Sequence, residues 1–191
     1  MSTPSFDLST PVAGHAATNP LGLSRIDHFQ LTGSIDKLDP LYRRLGFERV
    51  AVGRYAWGCV VHLRQQRMDV LIFEANATHP AGRYFEAHGE GVCALNFAVE
   101  DLEVALEQAR ARGARVMLEP QVHELGGGTL RFAAIQGVGE VWNYLVERKG
   151  DLDTFWPGLV AEAAPAFCDP GLVRVDHLTN NVGPGEMDPL V

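Results

Sequence analysis

Apolar and polar positions along the chain fall into two alternating periods. Residues 25–32 (RIDHFQLT) alternate closely enough for a strand, with Ile26, Phe29 and Leu31 apolar. Leu38, Leu41, Tyr42 and Leu45 then recur at i, i+3, i+4 and i+7, which is one stripe of a helix. Asp36 stands near the helix start, Pro40 is expected in its first turn, and Gly46 is placed to close it in the left-handed conformation. Strand patterns follow at 48–52, 57–63 and 69–74. The same order then returns. Residues 92–99 (VCALNFAV) read as a strand, and Leu102, Ala105, Leu106 and Ala109 form a second helical stripe. Asp101 precedes that helix, Arg110 and Arg112 lie in its last turn, and Gly113 ends it. Further strands are expected at 115–118, 129–135 and 141–147, with turns at Gly126–Gly128 and Gly137/Gly139.

The pattern predicts βαβββ followed by βαβββ, an α+β fold of paired modules at 24–90 and 91–150. Each module is a mixed sheet with one covering helix. The uncovered faces of two such modules can enclose a cupped space.

A second repeat is longer in range. Leu23-Ser-Arg25-Ile26-Asp27-His28 returns as Leu172-Val-Arg174-Val175-Asp176-His177. This predicts a flexible leader at 1–20, a two-module domain at 21–150, a proline-containing linker at 151–171, and the truncated start of a second such domain at 172–191.

Charge and cysteine content narrow the function. The net charge is −8, and the only lysines are Lys37 and Lys149, so nucleic acid and anionic membranes are not expected partners. No apolar run approaches the ~18 residues of a membrane span. Cys59, Cys93 and Cys168 have no C-x-x-C spacing, which suits free thiols in a reducing cytoplasm. Serines occur only at 2, 5, 9, 24 and 34, with no G-x-S-x-G, so a serine hydrolase is not expected. His62, His79, His88 and His123 show no metal-binding spacing and are expected as scattered surface or turn residues.

Several stretches together resemble the 4-hydroxyphenylpyruvate dioxygenase family of the vicinal oxygen chelate superfamily. They are Asn19-Pro-Leu-Gly22, Arg83-Tyr-Phe-Glu-Ala-His-Gly89 with Val92-Cys93, Ala134-Ile-Gln-Gly-Val-Gly139 with Tyr144-Leu-Val-Glu-Arg148, and Val175-Asp-His-Leu-Thr-Asn-Asn-Val182. The resemblance implies an Fe(II) enzyme that converts 4-hydroxyphenylpyruvate, a 2-oxo acid, and O2 to homogentisate and CO2 in tyrosine catabolism. It implies iron held by two histidines and a glutamate, a facial set with open positions. His177 would be the first ligand, with Thr179 and Asn181 near the pocket by position. The other two ligands would fall beyond Val191. The chain is therefore expected to be an incomplete N-terminal part, inactive alone and without bound iron. Exposed strand edges and the family's habit are compatible with a homo-oligomer.

The internal repeat carries the ligand question into the first domain. His28 matches His177, but the second and third ligand positions fall on Ala94 and Tyr144, so a relic site without metal is expected. Glu74 and Glu147 are expected as solvated strand-end acids. Two other readings remain open. One is 4-hydroxymandelate synthase, which shares the substrate and iron site; a related domain fused to some dehydroshikimate dehydratases is disfavoured, since no barrel precedes residue 1. The other is a non-catalytic binding or scaffold module whose cup is lined by aromatics such as Trp57, Phe73, Phe97 and Trp142.

Overall fold

The computed structural model describes residues 19–163, 170–182 and 184. The expected leader, apart from Asn19 and Pro20, and Cys168 lie outside these residues. The first module runs β1 (Leu23–Thr32), α1 (Ile35–Arg44), β2 (Glu48–Tyr55), β3 (Gly58–Gln65) and β4 (Met68–Ala75). A helix, α2 (Pro80–His88), leads to the second module. That module holds β5 (Gly91–Val99), α3 (Leu102–Ala111), β6 (Val116–Gln136) and β7 (Trp142–Leu152), and a two-residue strand, β8 (Val160–Ala161), follows.

The strands form one mixed sheet in the order β6-β7-β5-β1-β4-β3-β2-β8. In each module the first strand pairs in parallel with the last: β1 with β4, and β5 with β7. The modules join through antiparallel pairing of β1 with β5. A straight strand as long as β6 would reach roughly 70 Å. Instead the Gln136 N–H donates to the Arg115 carbonyl at 2.9 Å, so the stretch doubles back on itself. His123 stacks on Phe132, and Thr129 donates to Glu124, as two arms of a hairpin bent near Gly126–Gly128 would require. The two strands expected at 115–118 and 129–135 are these arms.

Helices α1 and α3 cover one face. Leu31, Val61, Leu63, Val70 and Ile72 pack beneath α1, with Leu38 and Tyr42 of that helix against them. Leu102, Ala105 and Leu106 of α3 pack on Ala133 and Leu145. The Asp101 side chain accepts the N–H groups of Glu103 and Val104, so the expected cap at this helix forms. Helix α1 begins earlier than its stripe suggested. Pro40 is therefore the sixth residue and sits in the second turn, where the Asp36 carbonyl loses its usual partner. Gly46 has φ +91°, the left-handed conformation expected of it.

Helix α2 lay in a stretch with no expected helix. Its signals are Pro80 at the first position, a His79 cap whose Nδ1 accepts the Ala81 N–H, and Gly89 after its end. The expected linker also starts too early at 151. β7 runs to Leu152, Leu159 is buried, and β8 adds to the edge of β2 through Ala51↔Ala161 and Val52↔Val160. Residues 173–182, where a first strand of the expected second domain would fall, have no ladder among the described residues. The Arg67 N–H donates to the Val173 carbonyl at 3.3 Å and Val175 packs against the core beneath α1, so the segment is tied to the first domain without pairing into its sheet.

Candidate functional site: a filled cup

The face of the sheet away from α1 and α3 is concave, and its centre is β1. A register shift between Ile26 and His28 on β1 marks a bulge against β5. The bulge sets Asp27 and His28 side by side, both buried. His28 is 1% exposed, and its Nδ1 lies 2.9 Å from Asp27 Oδ2. Burial pushes the imidazole below its ordinary pKa against the opposing effect of Asp27, so the ring is neutral at pH 7. An ionised Asp27 can only accept, so Nδ1 carries the proton and Nε2 is a bare lone pair. Nε2 has no hydrogen-bond partner among the described residues. Burial pushes the Asp27 carboxyl up, but the hydrogen bond from His28 and the charge of Arg148 outweigh this and hold it far below the usual carboxylate range. Arg148 clasps Asp27 through Nε at 3.2 Å and Nη2 at 2.9 Å, and Arg25 Nη2 adds a third contact at 3.2 Å.

A second pair lies two strands away. His62 Nε2 is 2.6 Å from Asp69 Oδ1, which also accepts from Arg64 Nε at 2.8 Å. Burial lowers the His62 pKa, with Asp69 opposing. Burial raises that of Asp69, but the bond to His62 and the charge of Arg64 bring it below normal. His62 is thus a buried residue of the cup, its imidazole hydrogen-bonded to Asp69. His79 caps α2 and stacks on Trp57 with centroids 4.1 Å apart, and burial pushes its pKa down to about 4. His62 is not the scattered surface or turn residue expected, whereas His79 ends a turn closed by its N–H to the Asn76 carbonyl at 3.0 Å.

The cup is occupied by the chain itself. After β7 a strap carries Phe155 and Trp156 over the concave face. The Phe155 ring stacks on His62 at 4.4 Å, meets His28 edge-on at 5.1 Å, and has the Arg148 guanidinium 4.2 Å from its centre. Trp156 stacks on Phe132 at 4.7 Å and meets His28 and Tyr144 edge-on. Arg148 Nη1 donates to the Phe155 carbonyl at 2.8 Å, and the Tyr55 hydroxyl donates to the Pro157 carbonyl at 2.7 Å. Gly158 turns the strap at φ +80°, where a Cβ would come within 2.8 Å of the Tyr55 ring.

The three relic positions share this face. His28 pairs with Asn96 and Asn96 with Tyr144, while Ala94 lies opposite Gln30. Together they offer one imidazole, a methyl group and a buried phenol whose pKa is raised by burial. That set does not fit Fe(II) or Zn(II), which take imidazoles, thiolates and carboxylates. Among the described residues, no group of three or more His, Cys, Asp and Glu is placed to hold a metal.

Glu74 and Glu147 do not belong to the cup. Glu147 is 2% exposed and accepts the Leu102 N–H at 2.8 Å, at the start of α3, with Arg131 and Lys149 beside it. Glu74 accepts the Ile35 N–H at 2.8 Å, at the start of α1. Both are helix-capping acids in equivalent places of the two modules, and Glu147 is not solvated as expected. Of the aromatics expected in the cup, Trp57 and Phe73 stack there, and Trp142 lies beside Tyr144. Phe97 sits opposite Leu145, a residue of the α3-covered core, and so faces the other way.

His177 is 79% exposed on its side chain, and Thr179 and Asn181 are exposed as well. Its Nδ1 lies 3.0 Å from Asp176 Oδ2, and Arg174 Nη2 lies 3.2 Å from Asp176 Oδ1. The same contacts join Arg25, which is exposed, to Asp27 and His28, which are buried. The strap and the two arginine-bound pairs were missed in the sequence. Adjacent aromatics at 155 and 156, inside an otherwise polar connection, were the available signal.

Paired modules with parallel first and last strands and a shared concave face define the vicinal oxygen chelate fold. A methylmalonyl-CoA epimerase from Streptomyces coelicolor has the same fold, with a TM-score of 0.55 at 23% identity, covering 65% of this chain and 94% of that one. A fusion of a xylose isomerase-like barrel with 4-hydroxyphenylpyruvate dioxygenase aligns at a TM-score of 0.64 and 24% identity, over 81% of this chain and 24% of that one. Residues 17–157 match the family described as hydroxyphenylpyruvate dioxygenase, N-terminal, and the chain belongs to that family. A 4-hydroxyphenylpyruvate dioxygenase from Pseudomonas sp. is 34% identical over 178 residues, covering 88% of this chain and 46% of the relative. The chain spans about half the length of the curated relatives it matches.

Proposed function

We propose that this chain supplies the N-terminal, metal-free domain of a 4-hydroxyphenylpyruvate dioxygenase. The observation that carries this reading is the donor set of the cup. A member of the dioxygenase family by sequence keeps one imidazole where a two-histidine, one-glutamate site would stand, and two aromatic rings fill the space in front of it. Iron would be held by a second chelate domain whose first ligand is His177, with Asp176 fixing the ring so that Nε2 faces the metal. When bound, iron supplies open positions for a 2-oxo acid and O2. The first domain contributes rigidity: Arg148 and Asp27 lock β1 to β7 and to the strap. Thr179 and Asn181 would lie near the substrate. The same reading places the protein in the cytoplasm; no helix among the described residues is long and apolar enough to cross a membrane.

The test has two arms. The purified chain, given Fe(II), 4-hydroxyphenylpyruvate and oxygen, is expected to show no substrate-dependent oxygen uptake. Joined after Val182 to the catalytic remainder of the Pseudomonas relative, it is expected to yield homogentisate. Turnover by the chain alone overturns the metal-free assignment. Formation of 4-hydroxymandelate by the joined protein replaces the reaction proposed. A joined protein that folds, binds iron and yields no product supports the scaffold reading instead.

A further inference from the structure

A cleft of about 560 Å³ opens beside the strap, at the end of the cup where β1 and β4 begin and β3 and β7 end. Its size lies within the roughly 300–1,000 Å³ common for small-molecule sites. Arg25, Arg64, Arg67 and Arg148 converge on it, in a chain whose 16 basic residues are outnumbered by 24 acids.

The acids in the cleft do not cancel this charge. Asp27 is taken up by His28, Arg148 and Arg25, and Asp69 by His62 and Arg64. Asp153 stands on the rim. Four guanidinium groups against three carboxylates, with His62 neutral, leave one positive charge. Arg67 is exposed, the Arg25 side chain is 63% exposed, and both line the cleft. The rest of the wall is apolar: Val50, Ala51 and Leu159, with the Phe155 ring held against the Arg148 guanidinium.

We infer that this cleft binds a small organic monocarboxylate, its oxygens between Arg25 and Arg67 and its apolar body against Phe155 and Leu159. A guanidinium fork matches a carboxylate in two parallel hydrogen bonds. The single excess charge favours a monoanion over a phosphate dianion, and the apolar wall favours an organic acid over an inorganic one. The site is separate from His177 and does not depend on dioxygenase activity.

Benzoate is the probe. Calorimetric titration of the full chain at pH 7 is expected to show saturable binding with a dissociation constant of about 1 mM or tighter. Arg25→Ala combined with Arg67→Ala should weaken it about tenfold or more, while Arg148 keeps Asp27 paired and the double variant stays folded at the assay temperature. Arg83→Ala, in a second cleft beside α2, should leave binding intact. Absence of saturation at ten times the expected constant overturns the inference. So does an equal loss in Arg83→Ala, or tighter binding of inorganic phosphate than of benzoate.

Discussion

Asp27→Asn strikes the group on which the buried network converges. Asp27 has 3% of its side chain exposed and Arg148 has 16%. The substitution keeps the shape but leaves the guanidinium without its counterion. Removing one partner of a buried pair costs about 3–5 kcal/mol. The lower end applies here, because Arg148 keeps its bond to the Phe155 carbonyl and its place over the Phe155 ring. A loss of about 3 kcal/mol corresponds to a fall of roughly 6–12 °C in melting temperature for a chain of this size. Thermal and urea unfolding measure it. Arg148→Met combined with Asp27→Asn should recover part of the loss, since deleting both charges together leaves neither unpaired. The acid limb supplies a second readout. The folded Asp27 titrates below its ordinary value of 3.8, so its contribution is complete above about pH 4 and is lost as pH falls towards the folded value. That part of the acid unfolding curve should flatten in Asp27→Asn. A loss under about 1 kcal/mol, or strict additivity in the double variant, refutes the account.

Other outcomes follow from the same geometry. Glu147→Ala should destabilise by about 2 kcal/mol and the exposed Glu74→Ala by less than about 1, read from urea midpoints. Trp156→Ala should cost about 2 kcal/mol by opening the cup between His28 and Phe132; an unchanged midpoint would show that the ring is not packed. Burial lowers the His28 and His62 pKa values, so their neutral forms favour the fold above about pH 6.5, and stability should fall from pH 6.5 to pH 5. Burial pushes the Cys93 thiol up to about 12, so iodoacetamide at pH 8 should label Cys59 and spare Cys93 by mass mapping.

The two modules were legible because each strand and stripe spells its period locally. Leu38, Leu41 and Tyr42, or Leu102, Ala105 and Leu106, declare their helices without outside information. The site was legible only in part. His28 was found because its hexapeptide repeats at 172–177. Arg148 was not, because its contact with Asp27 crosses 121 residues and leaves no periodic trace. His62 looked solitary because its partner, Asp69, becomes a neighbour only when β3 and β4 form a hairpin. Phe155 and Trp156 were hidden by proline-rich surroundings that imitate a tether. Glu74 and Glu147 carried no signal of their own, since strand-end acids are usually solvated and only the parallel closure of each module brings them to a helix start.

Those two glutamates have a wider consequence. Each reaches back from the last strand of its module to the opening N–H of the module's first helix, across 39 residues in one case and 45 in the other. Every module therefore carries its own clasp, and its backbone joint to the other is the pairing of β1 with β5. A unit that closes on itself is a transferable cassette: a further copy can be spliced behind it without redesigning what came before. The Arg-x-Asp-His signature at 174–177 is hydrogen-bonded as at 25–28 but stands in solvent, outside any module that could close around it among the described residues.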